Sequence, residues 1–312
     1  MEINAVKDRL PQVSVIVPNY NHASYLQQRL NSIIDQSFKD FELIILDDCS
    51  TDNSRKVIEQ YRGHPAVSHI EYNDHNSGST FRQWEKGLAL ARGPLIWIAE
   101  SDDVMDAKFL TEAVTVFNSY PEINMVQCGS RWIDSKGTEL DADPVKPDNS
   151  SIKGKDFVLA NMLYGNAIYN ASAVLFKNSK VTLPLTAGIT SKKYCGDWLF
   201  WVKLMEQGNI FRMKENYNQY RRHIQNVSFT ADKAGLLFLE GVQVYGYIKK
   251  KYASEFQFAD HRDKLWAARF AASKPGAGIC LTFLFKSFQA GYFLPIYTAW
   301  LVLTGRSAYK HY

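Results

Sequence analysis

Val13-Ser-Val-Ile-Val-Pro-Asn-Tyr-Asn21 is an apolar, β-branched run that stops on polar residues. It reads as a buried strand, and Pro18 is expected to end it. Working outward, residues 24 to 35 carry helical apolar spacing at Tyr25, Leu26, Leu30, Ile33 and Ile34. Phe41 to Leu46 is a second buried strand, running into Asp-Asp-Cys-Ser-Thr-Asp-Asn-Ser54. Ser50 or Thr51 is expected to start the next helix, with Asp52 in its first turn. Val67 to Tyr72 reads as a third strand and Phe81 to Ala91 as a helix stopped by Gly93-Pro94. Leu95 to Ala99 is a fourth strand that ends on Glu100-Ser-Asp-Asp103. Such alternation predicts an α/β fold, a mostly parallel sheet with helices on both faces.

Three of these strands place polar residues at their carboxyl ends. In an open α/β sheet that edge is where ligands bind. Several carboxylates gathered there suggest a metal ion and a phosphorylated ligand. Hard ions such as Mg²⁺ and Mn²⁺ take oxygen ligands and share them with substrate phosphates. A tyrosine at the position of Tyr20 can stack on a nucleobase. A carboxylate of the Asp47-Asp48 pair can accept the N3 hydrogen of uracil or thymine.

The chain has 312 residues, 46% hydrophobic and 22% charged, which is ample for a core. A net charge of +4 is too small for a nucleic-acid footprint and suits phosphorylated ligands or an anionic surface. Cys49, Cys128, Cys195 and Cys280 form no Cys-x-x-Cys pair, which argues against a zinc ribbon and fits a reducing compartment. The first ten residues contain no apolar stretch of signal-peptide type, so a cytoplasmic location is expected.

Two later segments complete the set, Cys195-Gly-Asp-Trp198 and Tyr220-Arg-Arg-His223. Together the five segments, in this order, resemble family 2 glycosyltransferases over roughly residues 12 to 230. The resemblance implies a GT-A type, Rossmann-like fold and an inverting sugar transfer from a nucleotide diphosphate-sugar, a UDP-sugar before others. It implies donor contacts from Pro18, Tyr20, Asp48, Arg82, Glu100, Asp102 and Arg221. The metal, Mn²⁺ or Mg²⁺, would be held by Asp102, with Asp103 as the alternate, and by His223. Asp197 would be the general base that takes the acceptor hydroxyl proton. Two departures stand out: Glu100 replaces the usual first aspartate of the Asp-x-Asp motif, and Gly196 replaces the usual acid before Asp197. From the residues alone, Arg82 reads equally as a solvated helix arginine and Asp197 as a helix cap.

The expected organisation is a catalytic domain over 1–232, with a donor half at about 12–104 and an acceptor half at about 105–232, then a helical region over 233–312. Residues 134 to 155 read as an exposed polar loop. The apolar run from Gly291 to Leu303 is too short to span a bilayer. Two amphipathic helices over 277–304 are expected to lie on a membrane surface, at the inner face of the cell membrane, or to contact a second subunit, with packing onto the catalytic domain as the alternative. The acceptor would be a glycan or a lipid-linked glycan. Two other readings stay open: a nucleotide-sugar-binding scaffold without turnover, and a sugar-1-phosphate nucleotidyltransferase. The second needs a Gly-rich loop after the first strand, where this chain has Pro-Asn-Tyr-Asn.

Overall fold

The computed structural model describes residues 10–142, 148–168, 170–178, 188–223, 236–257, 260–273, 277–288 and 293–304. In chain order the first half gives β1 (Val13–Asn19), α1 (Ala23–Ile34), β2 (Phe41–Asp47), α2 (Ser54–Glu59), β3 (Val67–Tyr72), α3 (Thr80–Leu90), β4 (Leu95–Ile98), β5 (Val104–Met105), α4 (Phe109–Ser119), β6 (Ile123–Gln127), β7 (Ser130–Ile133) and β8 (Glu139–Ala142). The second half gives β9 (Ser150–Ile152), α5 (Gly154–Asn161), β10 (Val174–Lys177), α6 (Gly196–Met205), β11 (Asn209–Arg212) and β12 (Asn218–Arg221). Four helices follow, α7 (Leu236–Lys251), α8 (His261–Ala272), α9 (Ala277–Ser287) and α10 (Phe293–Thr304).

The chain divides into two compact units. The first comprises Met1–Phe157, Ile168–Lys193 and Lys203–His223. It holds an eight-stranded sheet in the order β3-β2-β1-β4-β10-β6-β11-β9 and a smaller one in the order β5-β12-β7-β8. β3, β2, β1 and β4 run parallel, and β10 enters antiparallel between β4 and β6. Every residue of β1 and β2 is buried, the continuous apolar pattern of a parallel strand covered on both faces. α1 closes one face with Leu26, Leu30 and Ile33. α3 approaches the sheet so closely that a Cβ at Gly87 would stand 2.3 Å from Ile16 Cγ2, so only glycine fits there.

The structure corrects three local expectations. β1 continues through Pro18 to Asn19, pairing with Leu46 and Asp47 of β2. Ile16 accepts a bond from Ala99 on the β4 side, so Pro18, two residues on, also faces that side. The β4 ladder has already stopped at the Ile16–Ile98 pair, and the missing proline N–H forfeits nothing. α2 starts at Ser54 rather than at Ser50 or Thr51. Asp52 lies before it, accepting from Ser54 N with one oxygen and from Ala23 N, at the start of α1, with the other. The segment 134–155 holds β8, paired with β7, and β9, paired with β11. Residues 143–147 of that segment lie outside the described residues.

The second unit comprises Val158–Ala167, Tyr194–Val202 and Ile224–Tyr312, so it begins within the region expected to be wholly catalytic. The expected boundary at 232 itself falls outside the described residues. Trp266 of α8 stacks on Trp198 at 6.3 Å between ring centroids and donates Nε1–H to Leu163 O. Phe270 and Phe283 stack at 3.7 Å. Beyond these contacts, Leu281, Phe285 and Phe288 on and just past α9, and Ile296, Trp300 and Leu303 on α10, are exposed at i, i+4, i+7 spacing. Among the described residues no helix is long and apolar enough to cross a membrane.

Candidate functional site

The site in the first unit grows from the carboxyl ends of β2, β1 and β4. Two non-glycine residues there adopt left-handed backbone, Asn21 at φ 55 and Cys49 at φ 62. Asn19 Nδ2 donates to Asp47 Oδ1 at 2.7 Å, and Thr51 N donates to Asn21 Oδ1 at 2.7 Å, so the β1 and β2 ends are laced together. Asp48 organises the neighbouring loop. Its Oδ1 accepts from Asn73 Nδ2, Ser77 N and Gln83 Nε2, and its Oδ2 from Ser77 Oγ, at 2.7 to 2.9 Å. Tyr20 stands exposed on the same edge, while Pro18 is buried. Arg82 is exposed in the first turn of α3.

The β4 end supplies the acids. Glu100 accepts from Trp84 Nε1 at 3.1 Å. Burial, and then the charges of Asp102 and Asp103, push its pKa up to about 8. Asp103 is buried, and its two oxygens accept from Arg221 N, Asn170 Nδ2 and Ser172 Oγ. Burial and the Asp102 charge lift its pKa to about 6. Asp102 shifts the other way. Burial opposes its ionisation, but the His223 hydrogen bond and the neighbouring His22 and His223 charges outweigh that and lower its pKa.

His223 Nε2 lies 3.0 Å from Asp102 Oδ2, with side-chain exposures of 4% and 13%. His22, just before α1, places Nδ1 2.8 Å from Ser101 Oγ. Ligand atoms of His22, Asp102 and His223 lie within 4.8 Å of one another. Two imidazole nitrogens and a carboxylate oxygen so gathered are a donor set a divalent cation can bridge, so the residues present fit the metal the resemblance implies.

Two buried arginines flank this corner. Arg221 donates Nε to Asp102 O, Nη1 to Asp134 O and Nη2 to Gln28 Oε1 at 2.7 to 3.0 Å, and its guanidinium covers the Tyr25 ring at 4.8 Å. Its three side-chain nitrogens are thus engaged by the chain itself rather than turned to a donor phosphate. The Asp103 carboxylate, the alternate metal ligand of the sequence reading, is likewise engaged on both oxygens. Arg29 is fully buried on α1 with its guanidinium 4.8 Å over the Trp97 ring, and among the described residues none of its guanidinium nitrogens has a hydrogen-bond partner. Burial lowers its pKa to about 10 against the pull of Asp103, Asp102 and Glu100.

His22 and Arg29 are absent from the sequence reading. A signal for Arg29 existed: it stands on the buried stripe Leu26, Leu30, Ile33, where an arginine is out of place. For His22 the signal was its position next to Asn21, at the same strand edge as the carboxylates.

Asp197 lies in the second unit, in the first turn of α6. It accepts from Asn166 Nδ2 and Trp198 N, each at 2.8 Å. Burial drives its pKa up to about 7 despite those bonds. Glu240 of α7 accepts from Tyr194 N and Cys195 N at 2.8 Å, and so receives the amides leading into this helix.

The comparisons with known proteins bear on this arrangement. The structure of residues 1–349 of Staphylococcus aureus TarS in complex with UDP aligns with 95% of this chain and 92% of that one, at 18% identity and a TM-score of 0.58. The mannosyltransferase PcManGT of Pyrobaculum calidifontis, in complex with GDP-Man and Mn²⁺, aligns with 96% and 80%, at 18% identity and a TM-score of 0.51. The fold is therefore that of the GT-A glycosyltransferases. An uncharacterized glycosyltransferase of Nostoc is 36% identical over 240 residues, 72% of this chain and 68% of that protein. The putative teichuronic acid biosynthesis glycosyltransferase TuaG of Bacillus subtilis is 40% identical over 93 residues, 30% of this chain and 36% of TuaG. The poly(ribitol-phosphate) β-N-acetylglucosaminyltransferase TarP of S. aureus is 27% identical over 218 residues, 68% of this chain and 62% of TarP. The chain thus spans less than two thirds of the length of TuaG and of TarP. The profile of glycosyl transferase family 2 matches residues 14–173. The chain belongs to glycosyl transferase family 2.

Proposed function

We propose that the chain is an active, inverting glycosyltransferase that moves a sugar from a nucleotide diphosphate-sugar, a UDP-sugar before others, to a hydroxyl of a glycan or lipid-linked acceptor. One observation carries the reading: Asp48, Glu100 and Asp102 stand at the carboxyl ends of β2 and β4, the parallel strands on either side of β1, with His223 bonded to Asp102. Tyr20 stacks on the base, beside the strand end shaped by Pro18, and Asp48 Oδ2, which accepts a single bond from Ser77 Oγ, accepts the N3 hydrogen with its other lone pair. Glu100 faces the ribose, and Arg82 meets the diphosphate from the first turn of α3. Asp102 and His223 hold the divalent cation, which when bound offsets charge on the departing diphosphate. Asp103 and Arg221 act as positioning residues for Asp102, through the bonds to its backbone and to its neighbours.

Asp197 is the base. A carboxyl whose pKa lies near the working pH is matched to accepting a hydroxyl proton during attack. The acceptor oxygen forms its bond to the anomeric carbon on the face opposite the diphosphate. The carbon–oxygen bond to the diphosphate breaks and takes its electron pair, and the acceptor proton passes to Asp197. The apolar stripes of α9 and α10 are the surface through which the chain meets the inner face of a membrane or a second copy of itself.

Calorimetric titration with UDP, in Mn²⁺ and then in chelator, tests the donor site. Binding that weakens on chelation is expected, and equal affinity in both removes the cation from the account. UDP release from UDP-sugars then tests turnover. Full nucleotide affinity with no release from any nucleotide sugar leaves a binding scaffold instead.

A further inference from the structure

The residue before a helix is ordinarily Ser, Thr, Asp or Asn, whose side chain bonds the first free amides. At the start of α1 that position is His22, and its side chain makes no cap bond. The capping is done from elsewhere, by Asp52 Oδ2 on Ala23 N at 2.9 Å. The His22 ring is also held in a fixed attitude. Its Nδ1 lies 2.8 Å from buried Ser101 Oγ, and it meets the rings of His223 at 5.6 Å and Tyr25 at 6.1 Å. Tyr25 is in turn pinned under the Arg221 guanidinium.

We infer that His22 is the third protein ligand of the cation, so that the centre is a His22–Asp102–His223 triad of two imidazoles and one carboxylate. The inference rests on the proposed metal-dependent reading and deepens it. An imidazole carries two nitrogens, and a ligating histidine commonly uses the other for a hydrogen bond that fixes its ring. Ser101 is placed to provide that bond. The composition of the triad sets metal preference. A centre with two nitrogen donors binds later first-row ions more strongly and Mg²⁺, which prefers oxygen, more weakly. The centre therefore selects Co²⁺ over Mn²⁺ and Mn²⁺ over Mg²⁺.

The test uses the full chain with UDP present and reads metal binding rather than turnover. Wild type should bind Co²⁺ at least ~10-fold more tightly than Mg²⁺ by calorimetry. Pulsed EPR on bound Mn²⁺ should detect two coordinated imidazole nitrogens. His22→Ala should leave one, and its Co²⁺ affinity should fall by at least the ~10- to 100-fold that loss of a mere supporting partner costs. His22→Gln, which keeps the bulk and offers an oxygen, should fold if alanine does not, and should narrow the ratio between Co²⁺ and Mg²⁺. A single nitrogen in wild type, or unchanged Co²⁺ affinity in both variants, overturns the ligand role while the metal dependence stands. A wild-type chain that binds no divalent ion overturns the triad and the metal-dependent reading together.

Discussion

Asp197→Asn should separate the chemistry of that residue from its packing. The carboxyl titrates at about 7 in the folded chain instead of at 3.8, because burial disfavours its charge. The folded state therefore holds this proton more tightly than the unfolded one. Its contribution to stability is present below pH ~4 and is lost as the pH rises through about 7. Full ionisation costs the folded state about 4 kcal/mol, at ~1.4 kcal/mol per pKa unit. Asparagine removes that cost but turns an amide N–H₂ toward one of the two donors, Asn166 Nδ2 or Trp198 N, and forfeits about 1 kcal/mol of hydrogen bonding. The variant should thus be more stable than wild type by about 2–3 kcal/mol at pH 8.5. Near pH 4.5 the two should agree within about 1 kcal/mol. Urea denaturation at the two pH values reads this directly. Turnover should fall about 10²- to 10⁴-fold, and the limb of the wild-type rate profile near pH 7 should vanish with it. Parallel denaturation curves at both pH values would refute the buried-carboxyl argument. Near-normal turnover would remove Asp197 from the role of base.

Asp103→Ala strips the acceptor from Arg221 N, Asn170 and Ser172, and should cost about 3–5 kcal/mol on denaturation because buried donors are left unpaired. In the same variant Mn²⁺ affinity should drop although the residue does not touch the ion. Unchanged affinity would make Asp103 a packing residue only. Leu281→Asp with Phe285→Asp breaks the exposed stripe of α9 and should abolish vesicle flotation or lower the oligomeric mass while leaving UDP affinity intact. Loss of UDP affinity alone would tie α9 to the catalytic fold.

The parallel core was legible because its strands are unbroken apolar runs closed by turn residues, as β1, β2 and β4 are. What escaped depended on partners elsewhere in the chain. Whether Pro18 could stay in β1 turned on where β4 stops, which no local pattern records. Asp52 reads as a first-turn acid until Ala23 is seen to need it. β8 and β9 are short, polar edge strands recruited by β7 and β11, with no alternation of their own to betray them. Of the candidate site, the strand ends marked Asp47-Asp48 and the acids of 100–103 as edge clusters, and the resemblance singled out Asp48. Arg221 was read as a phosphate ligand because its motif gives its neighbours in sequence. Its actual acceptors lie 87 to 193 residues away.

That last separation has a consequence for how the protein comes into being. Arg221 meets Asp102 across 119 residues and Gln28 across 193. At ~5–20 residues per second on a ribosome, about 6 to 24 s pass between the synthesis of Asp102 and that of Arg221. Until then the carboxyl ends of β1 and β4 lack Arg221 and the histidine beyond it. The strand end at Asp102, translated early, is thus completed late. The Asp102–His223 pair can form only once Lys203–His223, the last segment of the first unit, has been made.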